Sequence, residues 1–216
     1  VKDIRRLRKI PCILFALGCA LPSAGGAPTE YVYLPNPEGD DAAMLSGETW
    51  VGVGPDFTLR VQLIDEDERR AFIEKVAGYP TDPFASPPDR PSGYVTFVME
   101  LENQGGASLL FRAQQCWLVT SKNEHLDPIS MEGLRARYGL VGGEMSSVYA
   151  RSVTALLPTT QTLEAGESLA GLLVYRISKP NPRWYKLEIQ ITTANGDVTT
   201  ITAPYRRVKQ NRSESP

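Results

Sequence analysis

The 216 residues carry 23 basic and 25 acidic side chains, a formal net charge of −2, with 42% hydrophobic and 22% charged residues. These proportions lie close to globular averages, which excludes wholesale disorder and a polytopic membrane protein, and the length suits one main domain. Five of the bases (Lys2, Arg5, Arg6, Arg8 and Lys9) crowd the N-terminus against Asp3 alone, so removing residues 1–19 leaves a body of net charge −6. A mildly acidic total gives no electrostatic reason to bind nucleic acid, and that partner class is set aside.

The basic start is followed by Ile10-Pro11-Cys12-Ile13-Leu14-Phe15-Ala16-Leu17 and then by small residues around Gly18-Cys19-Ala20. This is the three-part layout of an export signal. The apolar run is well short of the roughly 20 residues a spanning helix needs, and Pro22, Gly25, Gly26 and Pro28 end it. Ala16-Leu17-Gly18-Cys19 resembles a bacterial lipoprotein box, which implies acylation of Cys19 and a mature chain tethered to a membrane. Ordinary cleavage within residues 19–27, for instance after Gly26, is the alternative, and both place the body in the periplasm, at the outer membrane or on the cell surface. Either cut removes Cys12, and Cys19 is acylated or lost, so Cys116 has no partner for an intramolecular disulfide. Lying beside Trp117 and Leu118, it reads as a small core residue and not as an activated thiol.

In chain order, residues 20–44 are rich in Pro, Gly, Ala and Asp and predict a flexible tether, interrupted by Tyr31-Val32-Tyr33-Leu34 as a short docking strand. Trp50–Val53 and Phe57–Leu63 alternate apolar and polar residues around Gly54-Pro55-Asp56, predicting a hairpin. Asp65 to Gly78 changes to helical spacing, with an apolar stripe of Ala71, Phe72, Ile73 and Val76 behind the acidic start Asp65-Glu66-Asp67-Glu68. A proline-rich loop runs from Tyr79 to Pro91. Tyr94–Glu102 is a strand with Val95, Phe97, Met99 and Leu101 on its buried face, and Asn103-Gln104-Gly105-Gly106 turns the chain into Leu109-Leu110-Phe111 and Cys116–Val119. Met131 to Tyr149 reads as an insertion with a helical part. Strands are then expected at Val153–Leu157, Gln161–Leu163, Ser168–Ile177 and Trp184–Thr193, with Asn195-Gly196 as a hairpin turn into Val198–Ile201. The basic tail 206–216 is expected to be disordered.

Short strands separated by turns, without regular βαβ alternation, predict an all-β antiparallel sandwich over 45–205 with one or two short helical insertions. Tyr94–Asn103 and Glu164–Tyr175 resemble the immunoglobulin-like domains of uncharacterised exported bacterial lipoproteins, which implies an immunoglobulin-like topology and an envelope location.

Sequence motifs for chemistry are sparse. His125 is the single histidine, no Gly-x-Ser-x-Gly elbow is present, and neither Glu38-Gly39-Asp40-Asp41 nor Asp65-Glu66-Asp67-Glu68 has the Asp-x-Asp-x-Asp-Gly spacing of a calcium loop. Met99, Met131 and Met145 match no methionine-rich metal motif. No cofactor, metal or catalytic residue is therefore assigned. Tyr79, Phe84, Tyr138, Trp184 and Tyr185 lie in or beside the loops and insertions and are candidates for a partner surface, the alternative being that they cap the sandwich ends. The function expected is a non-catalytic binding or structural module in a cell-envelope assembly. Its partner would be an envelope protein or a glycan, met through the insertions Asp65–Pro91 and Met131–Tyr149. The alternative is an envelope hydrolase of glycan or peptide whose carboxylate pair meets only in the fold.

Overall fold

In the computed structural model, residues 30–37, 43–78, 82–85, 92–134, 152–179 and 181–210 are described. The export segment, Cys19, Tyr79, Tyr138 and Met145 lie outside them. The strands are β1 (Glu30–Pro35), β2 (Ala43–Ser46), β3 (Thr49–Val53), β4 (Phe57–Ile64), β5 (Tyr94–Asn103), β6 (Leu109–Arg112), β7 (Cys116–Thr120), β8 (His125–Leu126), β9 (Thr160–Leu163), β10 (Ser168–Arg176), β11 (Trp184–Thr193) and β12 (Val198–Gln210). A helix, α1 (Glu66–Ala77), falls between β4 and β5.

The strands form two antiparallel sheets, the all-β sandwich with short helical insertions that the periodicity predicts. One sheet has the order β10-β5-β4-β3-β2; the other runs β1-β12-β11-β6-β9, with β7 pairing β11 and β8. Strands β6 and β7 lie end to end along β11, joined by a 3-10 turn at Ala113–Gln115. The inward faces meet in one core: Phe57, Leu59 and Val61 of β4, Phe97, Met99 and Leu101 of β5, and Leu187, Ile189 and Ile191 of β11. Alternation along each strand produces this directly, since every second side chain points to the same face.

Cys116 is fully buried in this core, and desolvation pushes its thiol far up, so it is inert packing as its neighbours in sequence suggest. His125 is exposed on β8, with its ring 5.9 Å from that of Trp117. Met99 belongs to the core.

One expected strand is present and two segments differ from the sequence reading. The docking strand expected at Tyr31–Leu34 is β1, whose register along β12 runs from Glu30 opposite Gln210 to Pro35 opposite Tyr205. Tyr33 holds it there: its ring lies 4.3 Å from that of Tyr185 and its hydroxyl donates to the Pro182 carbonyl at 2.8 Å. For the same reason residues 206–210 are not disordered but continue β12, because β1 supplies their hydrogen-bond partners. Residues 153–157, expected as a strand, form a 3-10 turn at Val153–Ala155, followed by a short run along β10 in which the Leu157 amide donates to the Leu172 carbonyl. Close approach is possible there because β10 carries Gly171: a Cβ at that position would stand 3.1 Å from the Ala155 carbonyl oxygen.

Candidate functional site

The five-stranded sheet has an apolar patch on its outward face as well as its core face. Its outward face carries Ile64, Tyr94, Val98, Leu172 and Val174, and these pack with Ile73 of α1, Phe84, Leu134 and Val153 into a second core cluster. The two insertions that the sequence marked as separate loops therefore share one layer: α1 and Phe84 come from the first, and the helical turn at 131–134 from the second. The Thr159 hydroxyl donates to the Glu132 carboxylate at 2.6 Å and ties the second insertion to the segment before β9.

Local signals set α1 in place. The Asp65 carboxylate accepts from the Glu68 amide and the Glu68 carboxylate from the Asp65 amide, both at 2.9 Å, a capping box. At the other end Gly78 adopts φ 68°, in the left-handed region where glycine carries no Cβ penalty. The acidic run is thus a helix start. Ile73 of the expected stripe is buried and Phe72 half-buried, but Ala71 and Val76 are exposed.

A charge completes the buried stripe. Arg69 is buried, 1% exposed, and its Nε and Nη2 both reach Asp82 Oδ2 at 2.8 Å. Nη1 donates to Thr96 Oγ1 of β5 at 3.2 Å and Nη2 to the Phe84 carbonyl at 3.1 Å, while Glu66 stands 3.7 Å away. Asp82 in turn accepts the Phe84 amide at 2.8 Å. One guanidinium thus joins helix, sheet and proline-rich loop, using the planar donor fork that suits arginine to such a node. Extending the sequence stripe back from Ile73 by four residues lands on Arg69, which is the signal that could have found it.

The described ring residues, Phe84, Trp184 and Tyr185, do not gather. Phe84 is buried in the cap, edge-on to Tyr94 at 5.4 Å, because its backbone is fixed between Asp82 and Arg69; it is no part of a contact surface. Tyr185 is buried in the other sheet beside Tyr33, with desolvation pushing its phenol up, and it too is withdrawn from the surface. Trp184 is exposed, at 41%, on the open face of the seven-stranded sheet. It borders a shallow depression of ≈ 240 Å³ lined also by Asn36, Lys186, Pro204 and Arg206, with no carboxyl group among the lining residues. Among the described residues no group of three His, Cys, Asp or Glu side chains comes together to hold a metal ion.

Around Trp184 the loops are tightly joined. Glu124, between β7 and β8, accepts from the Ser178 hydroxyl, from the Ser178 amide at 3.0 Å and from the Lys179 amide at 3.2 Å. Desolvation works to raise its carboxyl, but the Ser178, Lys179 and Thr120 hydrogen bonds outweigh it and hold the group below its ordinary range.

No family model and no curated protein matches the chain. Among solved structures it is similar to the YjhA protein of Bacillus subtilis, at 15% identity over 66% of this chain and 77% of that one, TM-score 0.37. It is also similar to a functionally unknown protein from Listeria monocytogenes EGD-e, at 13% identity over 84% and 88%, TM-score 0.38.

Proposed function

We propose that this chain is an exported, lipid-anchored envelope protein that acts as a non-catalytic binding module, presenting its insertion cap to an envelope protein or glycan. The observation that carries the reading is the cap itself. Two insertions converge on one sheet, the first pinned by the buried Arg69 and the second tied by the Thr159–Glu132 bond, which gives a preorganised surface on a rigid scaffold, where binding residues are commonly found. The anchor rests on the leader sequence and on Cys19, which precedes β1 by eleven residues.

Two experiments test this. Intact mass and membrane fractionation of the native protein beside Cys19→Ser should show an acylated, membrane-bound wild type and a variant released to the soluble fraction; a soluble wild type cut near Gly26 refutes the anchor. Crosslinking in intact cells, with surface changes Arg70→Glu and Val76→Asp on α1, should lose a crosslinked species that the wild type gives. An unchanged crosslinking pattern refutes the cap as the contact surface.

A further inference from the structure

The net charge of the body conceals a cationic corner. Lys179 and Arg183 lie in the loop before β11, and Arg206, Arg207 and Lys209 lie on the last third of β12; four are exposed and Arg207 is half-buried. Register brings them to one end of the sheet, Arg206 on its outer face and Arg207 and Lys209 on the other. Trp184 pairs with Arg206, Tyr31 with Lys209, and the Arg207 amide donates to the Arg183 carbonyl at 2.9 Å. The corner is held firmly: Arg207 Nη1 donates to the Asn181 carbonyl at 2.9 Å and Lys179 Nζ to the Lys122 carbonyl at 3.2 Å. Among the described residues, the ion pairs are those of Arg69, Arg70 and Lys186 and involve none of these five cations. The carboxylate of the same loop group, Glu124, is buried and turned to Ser178 and Lys179.

Amphipathic rings accompany the charges. Tyr31 is 47% exposed with the Arg207 guanidinium 4.6 Å from its ring centre, and Trp184 and Leu34 are exposed beside Arg206. Cations with exposed Trp and Tyr are the composition that settles at a bilayer's headgroup layer.

We infer that this corner docks on the anionic phospholipid headgroups of the membrane that holds the anchor, an inference that rests on the anchor reading above. The connection fits. The first described residue, Glu30, lies opposite Gln210 and next to Lys209. Eleven extended residues reach at most about 40 Å, so Cys19 keeps the corner within reach of the surface. Each cation near an anionic surface contributes about fivefold in affinity, which makes five of them a weak site alone and an effective one at the millimolar local concentration that a short tether supplies.

The test uses the chain beginning at Ala20, which lacks the acylation site and retains every described element. Sedimentation with vesicles of mixed phosphatidylglycerol and phosphatidylcholine should carry the protein down, phosphatidylcholine alone should not, and added salt should release it. The triple variant Arg183→Gln, Arg206→Gln, Lys209→Gln should bind about a hundredfold more weakly, while Arg60→Gln, Lys75→Gln, Arg112→Gln, with the same charge loss at exposed sites elsewhere, should bind like the wild type. Circular dichroism of both triples checks that they fold. Failure to bind the mixed vesicles, or equal weakening by the two triples, overturns the inference. The mass of Cys19 is read separately: an acylated chain whose body ignores the vesicles keeps the anchor and loses the docking, and an unacylated chain whose body binds them keeps the docking and loses the anchor.

Discussion

The strongest internal constraint on the cap is the Arg69–Asp82 pair, and Asp82→Asn tests it with little change of shape. The amide retains an oxygen for the Phe84 N–H, now 2.8 Å from Asp82 Oδ1, but leaves the guanidinium, 1% exposed, without its anion. Removing one partner of a buried pair costs about 3–5 kcal/mol. Glu66 at 3.7 Å, itself partly exposed, compensates only weakly and argues for the lower end, about 3 kcal/mol. For a chain of this size that lowers Tm by roughly 10 °C. The double variant Arg69→Met, Asp82→Asn removes both charges, keeps the apolar stem that covers Phe84, and should be more stable than Asp82→Asn alone. Urea unfolding of the wild type, both single variants and the double variant closes the cycle. A cost below about 1 kcal/mol for Asp82→Asn, or a double variant as unstable as the sum of the singles, would refute the claim that the pair is desolvated and coupled.

Tyr33→Phe should lose about 1 kcal/mol in urea unfolding through the bond to the Pro182 carbonyl, and should speed amide exchange in β1 before any other strand. With Cys12 and Cys19 changed to Ser, Cys116 should resist Ellman's reagent in the native protein and react fully in denaturant; fast native labelling would contradict its burial and raised thiol. The Glu124 carboxyl is held below its ordinary value of 4.5, so its stabilisation is present above that value and disappears as pH falls through the lower folded value. Urea midpoints of wild type and Glu124→Gln should therefore differ at neutral pH and converge on acidification, and a constant gap would show that the carboxylate charge contributes nothing.

Strand positions were legible because alternation is a local signal. Trp184–Thr193 was read to the residue, and the Asp65–Gly78 helix needed only its two caps. The tail failed because pairing is not local. Tyr31–Leu34 reads as a docking strand, but residues 206–210 look like a tail until β1 is seen to complete their hydrogen bonding. Residues 153–157 are apolar without alternation, a pattern that does not separate a strand from a short turn packed on a sheet. Arg69 was invisible because a charged residue on a helix is normally counted with the solvated face; its burial depends on Asp82, thirteen residues on and across a proline-rich loop. Phe84, Trp184 and Tyr185 each adjoin a loop or insertion, but Phe84 is buried under the cap and Tyr185 against Tyr33, burial that is decided by distant packing and not by the local sequence.

The cationic corner was concealed for a related reason. Its five members are spread from residue 179 to residue 209 within a body whose total charge is −6, so neither composition nor local charge runs reveal it. Only the antiparallel pairing of β11 with β12, and of β12 with β1, brings them to one end. The same pairing separates the corner from the cap. Trp184, Lys186 and Arg206 lie on the outer face of the seven-stranded sheet, whereas α1 and Phe84 cover the outer face of the other. Packed sheets stand about 10 Å apart and a helix adds a similar thickness, so the Trp184–Arg206 face of the corner lies on the side of the sandwich core opposite the cap, while Tyr31, Arg207 and Lys209 alternate to the other face of the same strand ends. A module docked by its corner would hold α1 away from the headgroups, facing whatever partner the cap takes. On the proposed reading, tether, corner and cap would have distinct tasks: the lipid would limit distance, the cations would limit orientation, and the cap layer would supply the contact surface. Charge loss at the corner should accordingly leave cap-mediated crosslinks chemically possible but less frequent, and loss of the Arg69–Asp82 pair should abolish them without releasing the protein from the membrane.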